Sequence, residues 1–107
     1  MSDASSQAAR TISEKELQRT VIEMAKAYGW KVYFSWSSMH SPAGFPDLVM
    51  VRTNRLVFAE LKSEKGKVSE IQYEWLTALD EVADCHSGLN VYIWRPSDLA
   101  TIEAVLK

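Results

Sequence analysis

Between Gly44 and Lys62 the chain reads Gly-Phe-Pro-Asp-Leu-Val-Met-Val-Arg-Thr-Asn-Arg-Leu-Val-Phe-Ala-Glu-Leu-Lys, a stretch that leaves its backbone few options. Two apolar runs, Leu48 to Val51 and Leu56 to Ala59, flank Arg52-Thr53-Asn54-Arg55, which is the pattern of two short strands joined by a tight turn. With the turn centred on Thr53 and Asn54, a symmetric hairpin pairs Val51 with Leu56, Val49 with Phe58 and Asp47 with Glu60. Side chains alternate faces along a strand, so Lys62 shares the face of Glu60, and Asp47, Glu60 and Lys62 converge at one end of the ribbon. Directly opposed Cβ atoms lie roughly 5 Å apart, and at an effective dielectric of about 20 two full charges there repel by ~3 kcal/mol. Lys62 can offset part of this in a salt-bridged strand end. A divalent cation with oxygen ligands can offset all of it and keep positions open for substrate. The residues by themselves leave both arrangements standing.

Upstream, residues 1–12 are small and polar and are expected to form a flexible segment. Ile12-Ser13-Glu14-Lys15-Glu16-Leu17 is a capping box, with Ser13 as N-cap, Glu16 at the third helical position and Ile12 stapled to Leu17. The predicted helix runs to about Tyr28, with Leu17, Val21, Met24, Ala25 and Tyr28 as its apolar stripe and Gly29 as a left-handed terminator. Glu16 therefore has a structural task. Glu14, one turn before Leu17, lies on the buried-side stripe, as a charge favoured by the helix dipole or as an additional acid aimed at the carboxylate pair. Trp30 to Trp36 alternates as a strand, and residues 37–44 form a loop. His40 within it reads as an exposed loop residue, with a phosphate or base contact at the rim as its functional alternative. Pro46 holds Phe45 extended just before Asp47.

Beyond Lys62, residues 63–67 form a basic loop, and Val68-Ser69-Glu70-Ile71-Gln72 repeats the capping logic with Ser69 as N-cap. On sequence alone Gln72 completes that cap. The helix is expected to reach about Val82 and to bury Ile71, Trp75, Leu76 and Leu79. Leu89 to Trp94 is a last strand, Pro96 breaks it, and Ser97 or Asp98 caps a terminal helix. Trp30, Trp75 and Trp94 read as core, and Trp36 as packed in preference to stacking. The order helix, strand, hairpin, helix, strand, helix predicts an α/β sandwich with a mixed central β-sheet flanked by helices.

A chain of 107 residues supports one domain with a core of modest size, expected over 13–107. Cys85 is the single cysteine, which excludes an internal disulfide and a cysteine-based metal site. No apolar run approaches membrane-spanning length and no signal-peptide core is present, so a cytoplasmic protein is expected. The net charge of −2 lacks the basic excess of a non-specific nucleic-acid binder. The distribution is uneven, however: Arg52, Arg55, Lys62, Lys65 and Lys67 cluster in one segment, whereas residues 68–88 carry five acids and no Lys or Arg. A polyanion would be met locally, beside the carboxylates.

Taken together, the sequence resembles the VRR-NUC family of the PD-(D/E)XK nuclease superfamily, as a stand-alone module of the virus and phage type. The resemblance rests on Gly44-Phe45-Pro46-Asp47 followed by Glu60-Leu61-Lys62, on Gly66-Lys67-Val68-Ser69-Glu70-Ile71-Gln72, and on Val91-Tyr92-Ile93-Trp94-Arg95-Pro96 with Asp98. It implies a restriction-endonuclease-like sandwich in which Glu14, Asp47, Glu60 and the main-chain carbonyl of Leu61 bind Mg²⁺ or Mn²⁺, while Lys62 and Gln72 position or activate the attacking water. Lys65, Lys67 and His40 are the expected DNA contacts. The function expected is metal-dependent endonuclease action on structured or branched DNA, including four-way junctions, by a homodimer that presents two sites. The rival readings are an inactive DNA-binding module on the same fold and a sequence-specific restriction-type enzyme.

Overall fold

Two capping boxes and one tight turn set the frame. The computed structural model describes residues 12–34 and 42–107. Helix α1 spans Glu14–Ala27 and α2 spans Glu70–Ala83. In each, the N-cap serine accepts from the backbone N–H at the third helical position, and the Glu16 or Gln72 side chain returns to the serine N–H. Gly29 ends the α1 segment at φ 90°, a conformation that costs a glycine little. The hairpin strands are β2, Leu48–Arg52, and β3, Arg55–Leu61, in the expected register with Val49 opposite Phe58 and Val51 opposite Leu56. Thr53 takes a positive φ of 56° in the turn.

Strand β1, Lys31–Phe34, adds antiparallel to β2, and β4, Leu89–Trp94, adds parallel to β3, giving the order β1-β2-β3-β4. The sheet is therefore mixed, as expected, and α2 is the crossover that a parallel β3–β4 pair requires. A short 3₁₀ turn, Pro96–Asp98, leads into α3, Leu99–Leu106. Asp98 does not cap α3. Its carboxylate accepts from the Arg95 N–H at 2.8 Å, closing the 3₁₀ turn instead.

The core lies on one face of the sheet, where Leu17, Val21 and Ala25 of α1 pack with Leu48, Met50, Val57, Ala59, Leu61, Trp30, Trp94, Ile102 and Leu106. Because β3 alternates, the same strand turns Phe58 and Glu60 to the opposite face. There α2 gives a thinner cover than its apolar content suggests. Leu76 is buried, but Ile71 is 48% exposed and Trp75 37% exposed, against the expectation that both join the core. The reason is Phe45, which lies between helix and sheet, edge-on to Phe58 at 6.0 Å and to Trp75 at 5.1 Å between ring centroids. The helix is propped on a loop aromatic and keeps its first turn near the surface.

Trp30 is in the core as expected, yet it also organises charge. The Arg52 and Arg55 guanidinium carbons sit 4.8 and 5.0 Å from its ring centroid, and its indole N–H donates to the Leu106 carbonyl at 2.8 Å. Both arginines also donate to carbonyls in the last turn of α3. Those carbonyls have no intrahelical partners, so the hairpin arginines act as the C-terminal cap of α3. This commits Arg52 and Arg55 to structure, at the turn end of the hairpin remote from Asp47.

Candidate active site

Gly44 is where the site's two halves meet. At φ 95°, a Cβ there would stand 2.9 Å from the Ile71 carbonyl and would overlap the Ile71 side chain. Its absence lets the loop before Asp47 lie directly on the first turn of α2. That contact brings Asp47 and Gln72 to the same end of β3 from segments far apart in sequence.

Asp47 stands just outside the hairpin ladder. Its Oδ2 accepts from the Leu61 N–H at 2.8 Å, so the carboxylate takes the place of the next backbone partner and is fixed in direction. Glu60, next to it on β3, is only 1% exposed. Gln72 Nε2 donates to Glu60 Oε2 at 2.8 Å, and Lys62 Nζ lies 3.8 Å from the same oxygen. Glu60 Oε1 is buried and has no hydrogen-bond partner among the described residues. Leaving such an oxygen unmatched costs on the order of 1–3 kcal/mol, more when it is charged.

The electrostatics follow from this crowding. Burial first, and then the Asp47 charge, raise the Glu60 carboxyl to about 7, with Lys62 opposing and Glu14 adding to the rise. Asp47 is raised mainly by burial, while the Leu61 N–H and Lys62 hold it back. Glu14 is raised by burial and then by Asp47. The first residue of α1 thus reaches the carboxylate pair electrostatically from the other layer of the sandwich. It is not in ligating convergence with the pair: among the described residues, no group of three or more His, Cys, Asp or Glu side chains is disposed to hold a metal ion.

The structure therefore gathers Asp47, Glu60, Lys62 and Gln72 around one point, with Leu61 between Glu60 and Lys62 on the strand and Glu14 at the margin. Gln72 does two things at once, since Oε1 closes the α2 capping box while Nε2 holds Glu60. Lys65 and Lys67 lie in the adjacent loop and line a separate pocket with Arg95 and Tyr73. His40 falls outside the described residues, as do Trp36 and the segment 1–11.

The sequence reading missed one functional support. Arg95 Nη1 donates to the carbonyls of Ser63 and Gly66, at 2.7 Å each, and lies 3.3 Å from that of Glu64. The Ser97 N–H donates to the Glu64 carboxylate at 3.0 Å. The loop carrying the lysines is thus tied to the end of β4. The sequence signal for this is the arginine of Trp94-Arg95-Pro96.

Chemically, the arrangement offers carboxylate oxygens of the kind a hard cation takes, with a lysine beside them. Asp47, Glu60 and the Leu61 carbonyl are all oxygen donors, the donor type that suits Mg²⁺ or Mn²⁺.

Among curated proteins, none matches the chain. Among solved structures, it is similar to Hjc, a Holliday junction resolvase from the hyperthermophile Archaeoglobus fulgidus, at 23% identity and a TM-score of 0.46 over 78% of this chain. The match spans 65% of the resolvase's length. Residues 4–95 match the family model of the VRR-NUC domain, a stretch that takes in Glu14, Asp47, Glu60, Lys62 and Gln72. The chain belongs to the VRR-NUC domain family.

Proposed function

We propose that this protein is a metal-dependent endonuclease that hydrolyses backbone phosphodiesters in branched DNA and works as a homodimer. The observation that carries the reading is Glu60, a carboxylate withdrawn from water beside a second carboxylate, with one oxygen that has no hydrogen-bond partner among the described residues. A group held this way is poorly accounted for by stability alone, and strongly perturbed acids in a family of nucleases point to chemistry.

When bound, a divalent cation would lower the pKa of attacking water and neutralise charge growing on the phosphodiester. Asp47 and Glu60 would hold it, oriented by the Leu61 N–H and by Gln72 respectively. Lys62, on the face of Glu60, would orient the attacking water or take its proton. Lys65 and Lys67 would meet the backbone of the DNA. The preference for branched substrates rests on family membership. A homodimer follows from need, since paired incisions take two sites and two-fold dimers are the commonest way for a small chain to present them.

The inactive-module reading has its own support in the Lys62–Glu60 ion pair and in the lack of three converged His, Cys, Asp or Glu ligands among the described residues. One experiment separates the two: incubate wild type and Lys62→Ala with linear, flapped and four-way-junction DNA, with Mg²⁺, Mn²⁺ or EDTA. Cleavage of branched DNA by the wild type that needs the metal and is lost in Lys62→Ala is expected. Equal products from both proteins would overturn the assigned chemistry, and no cleavage under any condition would favour the inactive module.

A further inference from the structure

The loop that follows Lys62 builds a second concavity that the hydrolytic chemistry does not use. Glu64, Lys65, Gly66, Lys67 and Val68 form one wall of a pocket of about 480 Å³, and Tyr73 and Arg95 form the rest. Three cationic side chains face one carboxylate there, and that carboxylate is already engaged by the Ser97 N–H. Arg95 fixes the wall's shape through the Ser63 and Gly66 carbonyls, so the lysines are carried on an ordered loop.

The pocket is tied to the active site at two points. A Cβ at Gly66 would stand 3.7 Å from Lys62 Cδ, so the loop passes alongside the lysine proposed for the chemical step. On α2, Gln72 turns to Glu60 while its neighbour Tyr73 lines the pocket and is 56% exposed. A lining that combines cationic side chains with an exposed aromatic ring matches the two parts of a nucleotide, phosphate and base face. A base can reach the ring face only when it is unpaired and unstacked, which a paired duplex does not offer.

We infer that this pocket binds a nucleotide of an unpaired DNA strand, its phosphate held by Lys65, Lys67 and Arg95 and its base stacked on Tyr73. The inference deepens the proposed function and rests on DNA being the substrate. It supplies a structural reason for preferring branched DNA that carries an unpaired strand, such as a flap, over a fully paired duplex: the unpaired strand is anchored beside the cleavage centre.

The test is binding in EDTA of a fluorescent oligothymidylate of about ten nucleotides, with a blunt duplex of similar length as control. Tyr73→Ala should weaken oligothymidylate binding by roughly tenfold or more, as expected for loss of a stacked base, with Tyr73→Phe close to wild type. Duplex binding should change little. The Lys65→Ala, Lys67→Ala double variant should weaken binding and flatten its logarithmic salt dependence by about 1.4, the value for two single-strand phosphate contacts. Melting curves confirm folding, and the lysine variant tests the phosphate half independently of Tyr73. The inference is overturned if Tyr73→Ala binds oligothymidylate like wild type, if it loses duplex binding equally, or if the lysine variant keeps its affinity. These outcomes are separate from the nuclease reading: cleavage can fail while the binding differences stand, and the differences can vanish while cleavage persists.

Discussion

The buried acid at residue 60 should make the metal-free protein less stable as pH rises, and Glu60→Gln should remove its share of that dependence. Burial and Asp47 raise the Glu60 carboxyl from its ordinary 4.5 to about 7 in the folded protein. A raised carboxyl binds its proton more tightly when folded than when unfolded, so its contribution is fully present below pH 4.5 and lost as pH rises through about 7. At roughly 1.4 kcal/mol per pH unit, that interval is worth about 3 kcal/mol. Raised Asp47 and Glu14 act in the same direction. Glutamine at residue 60 keeps an oxygen to accept from Gln72 and carries no charge at any pH. In EDTA at pH 8 the variant should therefore melt higher than wild type, by on the order of 10 °C for a domain of this size, with the difference shrinking toward zero near pH 4.5. Mg²⁺ should raise the melting temperature of wild type and leave the variant nearly unmoved. Calorimetry or circular-dichroism melts at the two pH values read this directly. A variant that melts below wild type at pH 8 in EDTA would show that the Lys62 ion pair outweighs the burial cost, and the argument from stored repulsion would fail.

Three further expectations test the site, its scaffold and the proposed assembly. Glu14→Gln removes a charge that bears on Glu60 and should lower metal-dependent cleavage with little change in melting, whereas Glu16→Gln keeps a group that can accept from Ser13 and should be silent in both assays; equal activity losses would mean that Glu14 has no separate role. Gly44→Ala places a Cβ against the Ile71 carbonyl on a left-handed backbone, so it should destabilise by roughly 2 kcal/mol or more and depress cleavage by parting Asp47 from Gln72; unchanged melting would show that the loop re-docks freely. Sedimentation at micromolar concentration should give a two-fold dimer, and a strict monomer that still makes paired cuts in a junction would end the dimer proposal.

Most of the frame was legible because it is locally encoded. The hairpin register followed from two apolar runs around Thr53-Asn54, and both α1 and α2 began where a serine and a glutamate or glutamine stand three residues apart. The convergence of Asp47, Glu60 and Lys62 needed only that register and the alternation of β3. What was not legible depends on contacts between distant segments. Nothing near Trp75 reveals that Phe45 would lie between α2 and the sheet and keep Ile71 and Trp75 near solvent. Arg95 shows no local sign of seeking carbonyls some thirty residues upstream, and Arg52 and Arg55 look like ordinary turn charges until α3 ends above Trp30. Asp98 offered two nearby backbone targets, the start of α3 and the Arg95 N–H, and sequence could not rank them.

Gln72 offers the sharpest separation of fold from chemistry, because glutamate would serve one of its two roles better than the other. At the third position of a helix, glutamate completes a capping box as well as glutamine does and favours the helix dipole besides. Toward Glu60 it would be the wrong residue, since it supplies no N–H for Oε2 and sets a third carboxylate against a buried one. Gln72→Glu should therefore leave α2 helical while forfeiting the 2.8 Å hydrogen bond and raising the Glu60 carboxyl further. The lost charge-assisted bond alone is worth roughly 1.5–3 kcal/mol, so in EDTA at pH 8 the variant should melt several degrees below wild type. At pH 4.5 the deficit should narrow, because a protonated carboxyl at either residue restores a donor between the two side chains. Melts of the single variants and of Glu60→Gln, Gln72→Glu, in which the amide and carboxylate have exchanged places, complete the test. The exchange should recover most of the loss at pH 8, and a double variant no better than Gln72→Glu alone would show that residue 72 acts through the cap and not through Glu60.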